Sequence, residues 1–163
     1  MPLFGKRLPR TSIAMANELR KLIPHALVIA IDAMWGWAGS TYGKPWLFEL
    51  LDRHPWKALQ VFDGLIQPGL WISYSVVLTA QMVWVMLVTP RDLSLRRLQQ
   101  LWWMGFGISL ASALAVQLEL SLPSSASMLV FAAQLIDLTL LYWLSTALLT
   151  PAAKRRGVIP GWG

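Results

Sequence analysis

Long apolar runs separated by short polar segments dominate the chain. Residues 70–88, 101–120 and 128–149 form three such runs, and each contains at most one charged side chain. A helix needs roughly 20 mostly apolar residues to cross a hydrocarbon core of about 30 Å. Pro68, Pro90 and Pro151 lie beside the ends of these runs, where proline favours the end of a helix. The pattern therefore predicts three transmembrane helices.

A fourth apolar run, residues 22–38, is shorter and is interrupted by Pro24, His25 and Asp32. The distribution of basic residues favours its being a span. With four spans, eleven of the fourteen Lys and Arg residues lie on one side of the membrane, whereas three spans divide them six to eight. Because basic residues concentrate in cytoplasmic loops, we expect four transmembrane helices with both chain termini in the cytoplasm.

The segments between the spans complete the predicted fold, an all-α integral membrane protein with one membrane domain. Residues 1–21 and 150–163 are expected to be cytoplasmic tails, the first with a short amphipathic helix over residues 13–22. The outer loop, residues 39–69, places apolar and charged side chains on opposite helical faces. It therefore predicts one or two amphipathic helices lying on the membrane surface.

Composition supports a membrane class. The chain is 56% hydrophobic and 13% charged, whereas soluble domains average about 45–50% and 25%. The net charge of +6 is explained by basic loops that meet anionic lipid headgroups, so lipids and not nucleic acids are the expected contacts. The expected location is a bacterial inner membrane.

No recognisable catalytic set occurs in the sequence. The chain has no cysteine, which excludes disulfides, thiolate metal sites and cysteine nucleophiles. Its two histidines, His25 and His54, fall at opposite ends of the predicted topology, and neither has metal-ligand spacing. No nucleophile elbow or glycine-rich phosphate loop is present. We therefore expect a protein that is not an enzyme, with no metal and no cofactor held by this chain alone.

Polar residues inside predicted spans are the first candidates for function, because an ionisable side chain costs roughly 3 kcal/mol at the centre of a membrane helix. Two interpretations apply to them. They form a proton or partner site, or they make interhelical hydrogen bonds worth about 1 kcal/mol. The absence of Lys and Arg from all four spans favours the second interpretation, since a single carboxyl can stay protonated. The candidates are Asp32, Glu119, Gln134 and Asp137.

The third predicted span carries two faces of small residues spaced four apart, a pattern that lets helices approach closely in lipid. One face is expected to pack within the bundle, and the other against a second copy of the chain or another subunit. A bound lipid or pigment is the alternative occupant of the second face. The two faces are Gly105, Ser109 and Ala113, and Gly107, Ala111 and Ala115.

Ten tryptophans are present, and most fall where aromatic belts form at membrane interfaces. We expect Trp102 and Trp103 at the cytoplasmic interface. The opposite interface is expected to hold Trp35, Trp37, Trp46, Trp56 and Trp71.

These features favour a non-catalytic accessory or scaffold subunit of a larger membrane complex, which packs through the small-residue faces and the Trp-rich loop. One alternative is a pore-forming protein of the phage holin type, which resembles this chain in being short, polytopic and basic-tailed. Another is a small proton-coupled exporter that uses Asp32 or Asp137. Small multidrug exporters are similar in having four helices and a membrane acid flanked by aromatic residues, as Asp32 is by Trp35 and Trp37.

Overall fold

Every regular element of the described chain is a helix. The computed structural model describes residues 10–39, 41, 67–88, 93–119 and 124–161. The predicted surface helices of the outer loop lie outside these residues. The helices are α1 (Arg10–Ala38), α2 (Gln67–Val88), α3 (Leu95–Glu119), α4 (Ser124–Leu149) and α5 (Ala152–Val158).

Three of these helices are long and apolar enough to cross a membrane, over Trp71–Val88, Leu95–Leu118 and Phe131–Leu149. They agree with the three predicted spans, although α3 begins at Leu95 and not at residue 101. Ser94 explains the earlier start. Its hydroxyl accepts a hydrogen bond from the Arg97 amide at 3.4 Å, and its carbonyl accepts one from the Leu98 amide at 3.0 Å. Ser94 thus caps a polar first turn that precedes the apolar run.

Helix α1 differs from the prediction because it is one continuous element. It joins the expected amphipathic segment to the expected first span, with Pro24 inside the helix. Helices in an apolar environment tolerate an internal proline when neighbouring groups satisfy the freed carbonyl. The apolar part of α1, Leu22–Ala38, is shorter than the three candidate spans.

The helices pack as a bundle in which α2 contacts α1, α3 and α4, while α4 contacts α1 and α3. Hydrogen bonds fix the relative directions. Asp32 of α1 bonds Gln81 of α2, whose amide oxygen accepts from Ser145 of α4. Trp35, further along α1, bonds Asp137, which lies earlier in α4 and also accepts from Tyr74, earlier in α2. Helix α1 is therefore antiparallel to α2 and α4. The core includes Val77, Trp84, Leu98, Trp102, Leu138, Leu141 and Tyr142.

The outward surface of the bundle is strongly apolar, as a lipid-facing surface has to be. Large apolar side chains are more than half exposed on all four long helices. They include Leu22, Met34, Trp71, Met86, Met104, Leu118, Met128 and Ile136.

One end of the bundle, here called the basic end, is closed by α5, which packs against α3. Val158 and Ile159 are buried there. Lys154 Nζ donates to the Val88 carbonyl at 3.2 Å, and Arg155 Nε donates to the Thr150 carbonyl at 3.2 Å. These bonds satisfy carbonyls at the ends of α2 and α4 that helix geometry leaves without partners. Part of the expected tail, residues 150–163, is therefore an integral part of the bundle.

Trp102 lies in the core of the bundle and not on its lipid-facing surface. Only 2% of its surface is exposed, whereas Trp103 is 49% exposed. Trp102 Nε1 donates to Thr146 Oγ1 at 2.9 Å, and its ring stacks on Phe106 with centroids 5.3 Å apart. A buried indole needs such a partner for its N–H group. Trp102 therefore joins α3 to α4 instead of contacting lipid headgroups.

Replacing Trp102 with Phe is expected to destabilise the protein by about 2 kcal/mol, because the substitution removes a buried hydrogen bond and leaves a cavity. Trp103→Phe is the matched control on the next, exposed residue and is expected to cost less than about 0.5 kcal/mol. Thermal unfolding in detergent, followed by far-ultraviolet circular dichroism, measures both. Equal losses of stability would contradict the burial of Trp102.

Candidate functional site

Asp137 accepts hydrogen bonds from two other helices near the middle of the α4 candidate span. Its Oδ1 accepts from Trp35 Nε1 of α1 at 2.7 Å, and its Oδ2 accepts from the Tyr74 hydroxyl of α2. One carboxyl group thus connects α1, α2 and α4. Both donors are neutral, so they orient the carboxylate without neutralising its charge.

Asp32 forms a second centre on α1, beside the first. With the Gln81 amide oriented as its neighbours require, its nitrogen lies 2.6 Å from Asp32 Oδ2 and 3.2 Å from Oδ1. The amide oxygen then accepts from Ser145 Oγ at 2.8 Å. This orientation is assigned from the hydrogen-bond network, in which a carboxylate can only accept. The second carboxyl is therefore also linked to α2 and α4.

A third polar contact extends the row. Gln134 Nε2 donates to Ser73 Oγ at 2.9 Å, and both side chains are buried. On α2 the participating residues run from Ser73 to Gln81, which corresponds to about 12 Å along the helix axis. We call this row the polar seam. Its members are Asp32, Trp35, Ser73, Tyr74, Gln81, Gln134, Asp137 and Ser145.

The charge balance of the polar seam is unusual. It contains two carboxyl groups, while the apolar run of α1 and the three candidate spans include Lys or Arg only in the first turn of α3, at Arg96 and Arg97. Neither residue belongs to the seam. Ionising a carboxyl in such surroundings is costly unless a cation or a proton balances the charge. Chemically, the arrangement can hold and release a proton or bind a small cation.

The polar seam unites three of the four polar residues expected to be functional: Asp32, Gln134 and Asp137. The side chain of Glu119 lies outside the described side chains. Trp35, expected in an aromatic belt, is half-buried and binds Asp137. Sequence reasoning did not identify Ser73, Tyr74 and Ser145 as partners. Ser73 and Gln81 are eight residues apart on one helical face. This spacing could have indicated a polar face on α2.

The two small-residue faces of α3 have different surroundings. Ser109 and Ala113 are buried, and Gly105 lies against the Tyr142 ring of α4. On the other face Gly107, Ala111 and Ala115 are exposed. Among the tryptophans expected at interfaces, Trp37, Trp71 and Trp103 are exposed. Trp46 and Trp56 lie outside the described residues.

A search of the described side chains for metal sites finds no group of three or more His, Cys, Asp or Glu residues that could hold a metal ion. Asp32 and Asp137 are each bonded to neutral side chains from α2, as described above.

The fold defines a class, namely a helical protein with three helices long and apolar enough to cross a membrane. This property points to integration into a membrane. Comparison with protein-family models, with curated proteins and with solved structures finds no significant match. The polar seam is therefore the feature from which a function can be inferred.

Proposed function

We propose that the chain crosses a bacterial inner membrane four times, with α1 as the first span and both termini in the cytoplasm. Two observations support this topology. Helix α1 packs beside α2 and α4, and it brings Asp32 and Trp35 to the middle of their candidate spans. Moreover, every Lys and Arg in the described helices lies toward the basic end, which the positive-inside rule assigns to the cytoplasm.

We further propose that the protein is a small proton-coupled transporter and that Asp32 and Asp137 bind the coupling proton. The observation that carries this proposal is that, within the described residues, both carboxyls are paired with neutral donors: Gln81 for Asp32, and Trp35 and Tyr74 for Asp137. Placing a carboxyl group inside a membrane costs free energy, and such groups commonly mark a proton pathway. Two of them on one seam are better explained by proton exchange than by helix packing.

The seam residues have distinct roles in this proposal. Trp35 and Tyr74 hold the Asp137 carboxyl in one orientation, and the Gln81 amide does the same for Asp32. When either carboxyl loses its proton, these donors stabilise the charge. When it gains a proton, the carboxyl itself becomes a donor and its partners have to reorganise. Protonation therefore changes the contacts between α1 and the rest of the bundle, which is what coupling requires.

Proton movement through reconstituted protein tests the proposal. Vesicles that contain the protein and a trapped pH-sensitive dye are given a potassium diffusion potential, and the internal pH is followed. We expect wild-type vesicles to acidify faster than protein-free vesicles. Vesicles with the D32N/D137N double variant are expected to acidify at the protein-free rate, because asparagine keeps the shape of aspartate but does not titrate.

The same assay separates the alternatives. Collapse of the potential in both wild-type and double-variant vesicles would favour a holin-type pore. An absence of proton flux in the wild type would contradict the transporter proposal and favour a non-catalytic accessory subunit.

The accessory or scaffold role is the second candidate function, and the exposed face of Gly107, Ala111 and Ala115 favours it. Small residues on an outward helix face allow a second helix to approach closely in lipid. Blue-native electrophoresis after mild detergent extraction tests this role. Migration within a larger complex, lost in an A111L variant, supports it, and migration of the wild type only as a monomer or homodimer counts against it.

A further inference from the structure

An apolar groove of about 670 Å³ runs between α2 and α3 on the outside of the bundle, away from the polar seam. It extends along α2 from Trp71 to Leu87, a length of about 24 Å. Its α3 side is formed by Leu101, Met104 and Ile108. The groove therefore follows the direction in which lipid chains lie and covers most of a hydrocarbon core about 30 Å thick.

Four polar side chains line this groove, yet each of them donates its hydrogen bond to the protein. Ser75 and Thr79 donate to carbonyls one turn earlier in α2, at 2.8 Å and 2.7 Å. Trp84 Nε1 donates to Thr150 Oγ1 at 3.0 Å, and the Tyr142 hydroxyl donates to the Trp102 carbonyl at 3.2 Å. Because these donors already have acceptors within the protein, the lining of the groove can contact a hydrocarbon chain without leaving a donor unsatisfied.

A basic residue of α3 lies in sequence just before the lining of the groove, on the side toward the basic end. Arg97 is exposed, and it precedes Leu101 by one helical turn on the same face of α3. Met104 and Ile108 continue that face. Arg96 is also exposed, but its position on the helix directs it away from the groove. The groove thus has an apolar lining, and Arg97 places a cation beside its end.

We propose that this groove binds an anionic phospholipid, with an acyl chain between α2 and α3 and the phosphate beside Arg97. The length and the apolar lining of the groove fit an acyl chain, and the positive charge of Arg97 complements the anionic headgroup. The lipid site is independent of the polar seam and does not rest on the transport proposal.

Native mass spectrometry with two probe lipids tests this site. The purified protein is incubated with phosphatidylglycerol or phosphatidylcholine of identical acyl chains, and the retained lipid is counted per protomer. We expect one phosphatidylglycerol to be retained preferentially. R97Q is expected to reduce that preference about fivefold, the effect of one Arg at an anionic surface. R96Q is the matched control and is expected to leave the preference unchanged.

Filling the groove with a large side chain tests whether the acyl chain of the lipid lies there. Thr79→Trp places a large side chain in the groove from an exposed position, and Met86→Trp is the control at an exposed α2 residue that does not line it. T79W is expected to lose both lipids, whereas M86W retains them. I108W, which fills the groove from α3, provides a second variant if T79W fails to fold. Equal effects of R97Q and R96Q, or retention of lipid by the folded groove-filled variants, would overturn the proposal.

Discussion

Dicyclohexylcarbodiimide is expected to modify the wild-type protein at Asp32 and Asp137 and to leave the D32N/D137N double variant unmodified. The reagent is apolar, enters the hydrocarbon and reacts with protonated carboxyl groups. Of the eight acidic residues in the chain, these two occupy the middle of apolar helices. Both are only partly buried, so a reagent dissolved in lipid can reach them. Modification should increase as the pH is lowered, because only the protonated form reacts.

Mass spectrometry of peptides locates the adducts, and each single variant should lose its own adduct alone. A water-soluble carbodiimide is the control reagent, since it should modify acidic residues outside the spans and leave Asp32 and Asp137 unmodified. Absence of adduct at every pH, or adducts of equal amount in the double variant, would count against a proton-exchanging seam. Because it needs no transported substrate, the experiment examines the site separately from transport.

Ala in place of Gly105 is expected to destabilise the protein by about 1–3 kcal/mol through overpacking. A Cβ atom at this position would collide with the Tyr142 hydroxyl and lie 3.2 Å from Cζ of the same ring. The ring has little freedom to move away, because it is buried and packs against Trp102 and Phe106 with centroids 5.5 Å and 6.0 Å away. The close approach of α3 to α4 therefore depends on this glycine.

Gly107 is the matched control, since a Cβ atom there would meet nothing within 4 Å. G107A gains the better helix propensity of alanine without a collision, so it is expected to be neutral or stabilising. Thermal unfolding in detergent compares the two variants. Adding Y142F to G105A removes the colliding hydroxyl and should restore part of the stability. Similar unfolding temperatures for G105A and G107A would contradict this packing.

The positions of the long helices could be predicted because membrane insertion imposes a simple length and polarity rule on each segment. The predicted residues 128–149, for example, lie within Ser124–Leu149. Helix α1 was harder to predict, because Pro24 and Asp32 normally argue against a continuous apolar helix. The cost of placing the Asp32 carboxyl in an apolar helix is partly offset by a hydrogen-bond donor on another helix, Gln81. A rule applied to one segment at a time cannot detect such compensation.

Contacts between helices were the least predictable part of the site. Helical spacing shows that Gln134 and Asp137 share a face, but it does not identify the helix they meet. The bonds from Trp35 and Tyr74 to Asp137 connect residues 102 and 63 positions apart. Similarly, an aromatic belt and a buried aromatic core have the same composition. The burial of Trp102 therefore depends on a partner, Thr146, that only the folded chain provides.

Helix α1 is held to the bundle in part by hydrogen bonds to the two carboxyl groups of the polar seam. Among its described side chains only Val28 is buried, while Asp32 bonds Gln81 of α2 and Trp35 bonds Asp137 of α4. Two carboxyl groups therefore lie in the contact between α1 and the rest of the bundle, beside the apolar packing of Val28, Ile31 and Trp35. Under the proposed function, a proton that binds Asp137 alters the hydrogen bond from Trp35 and so changes the contact between α1 and α4. On this proposal, α1 is the helix whose position responds to protonation, while α2, α3 and α4 stay packed together.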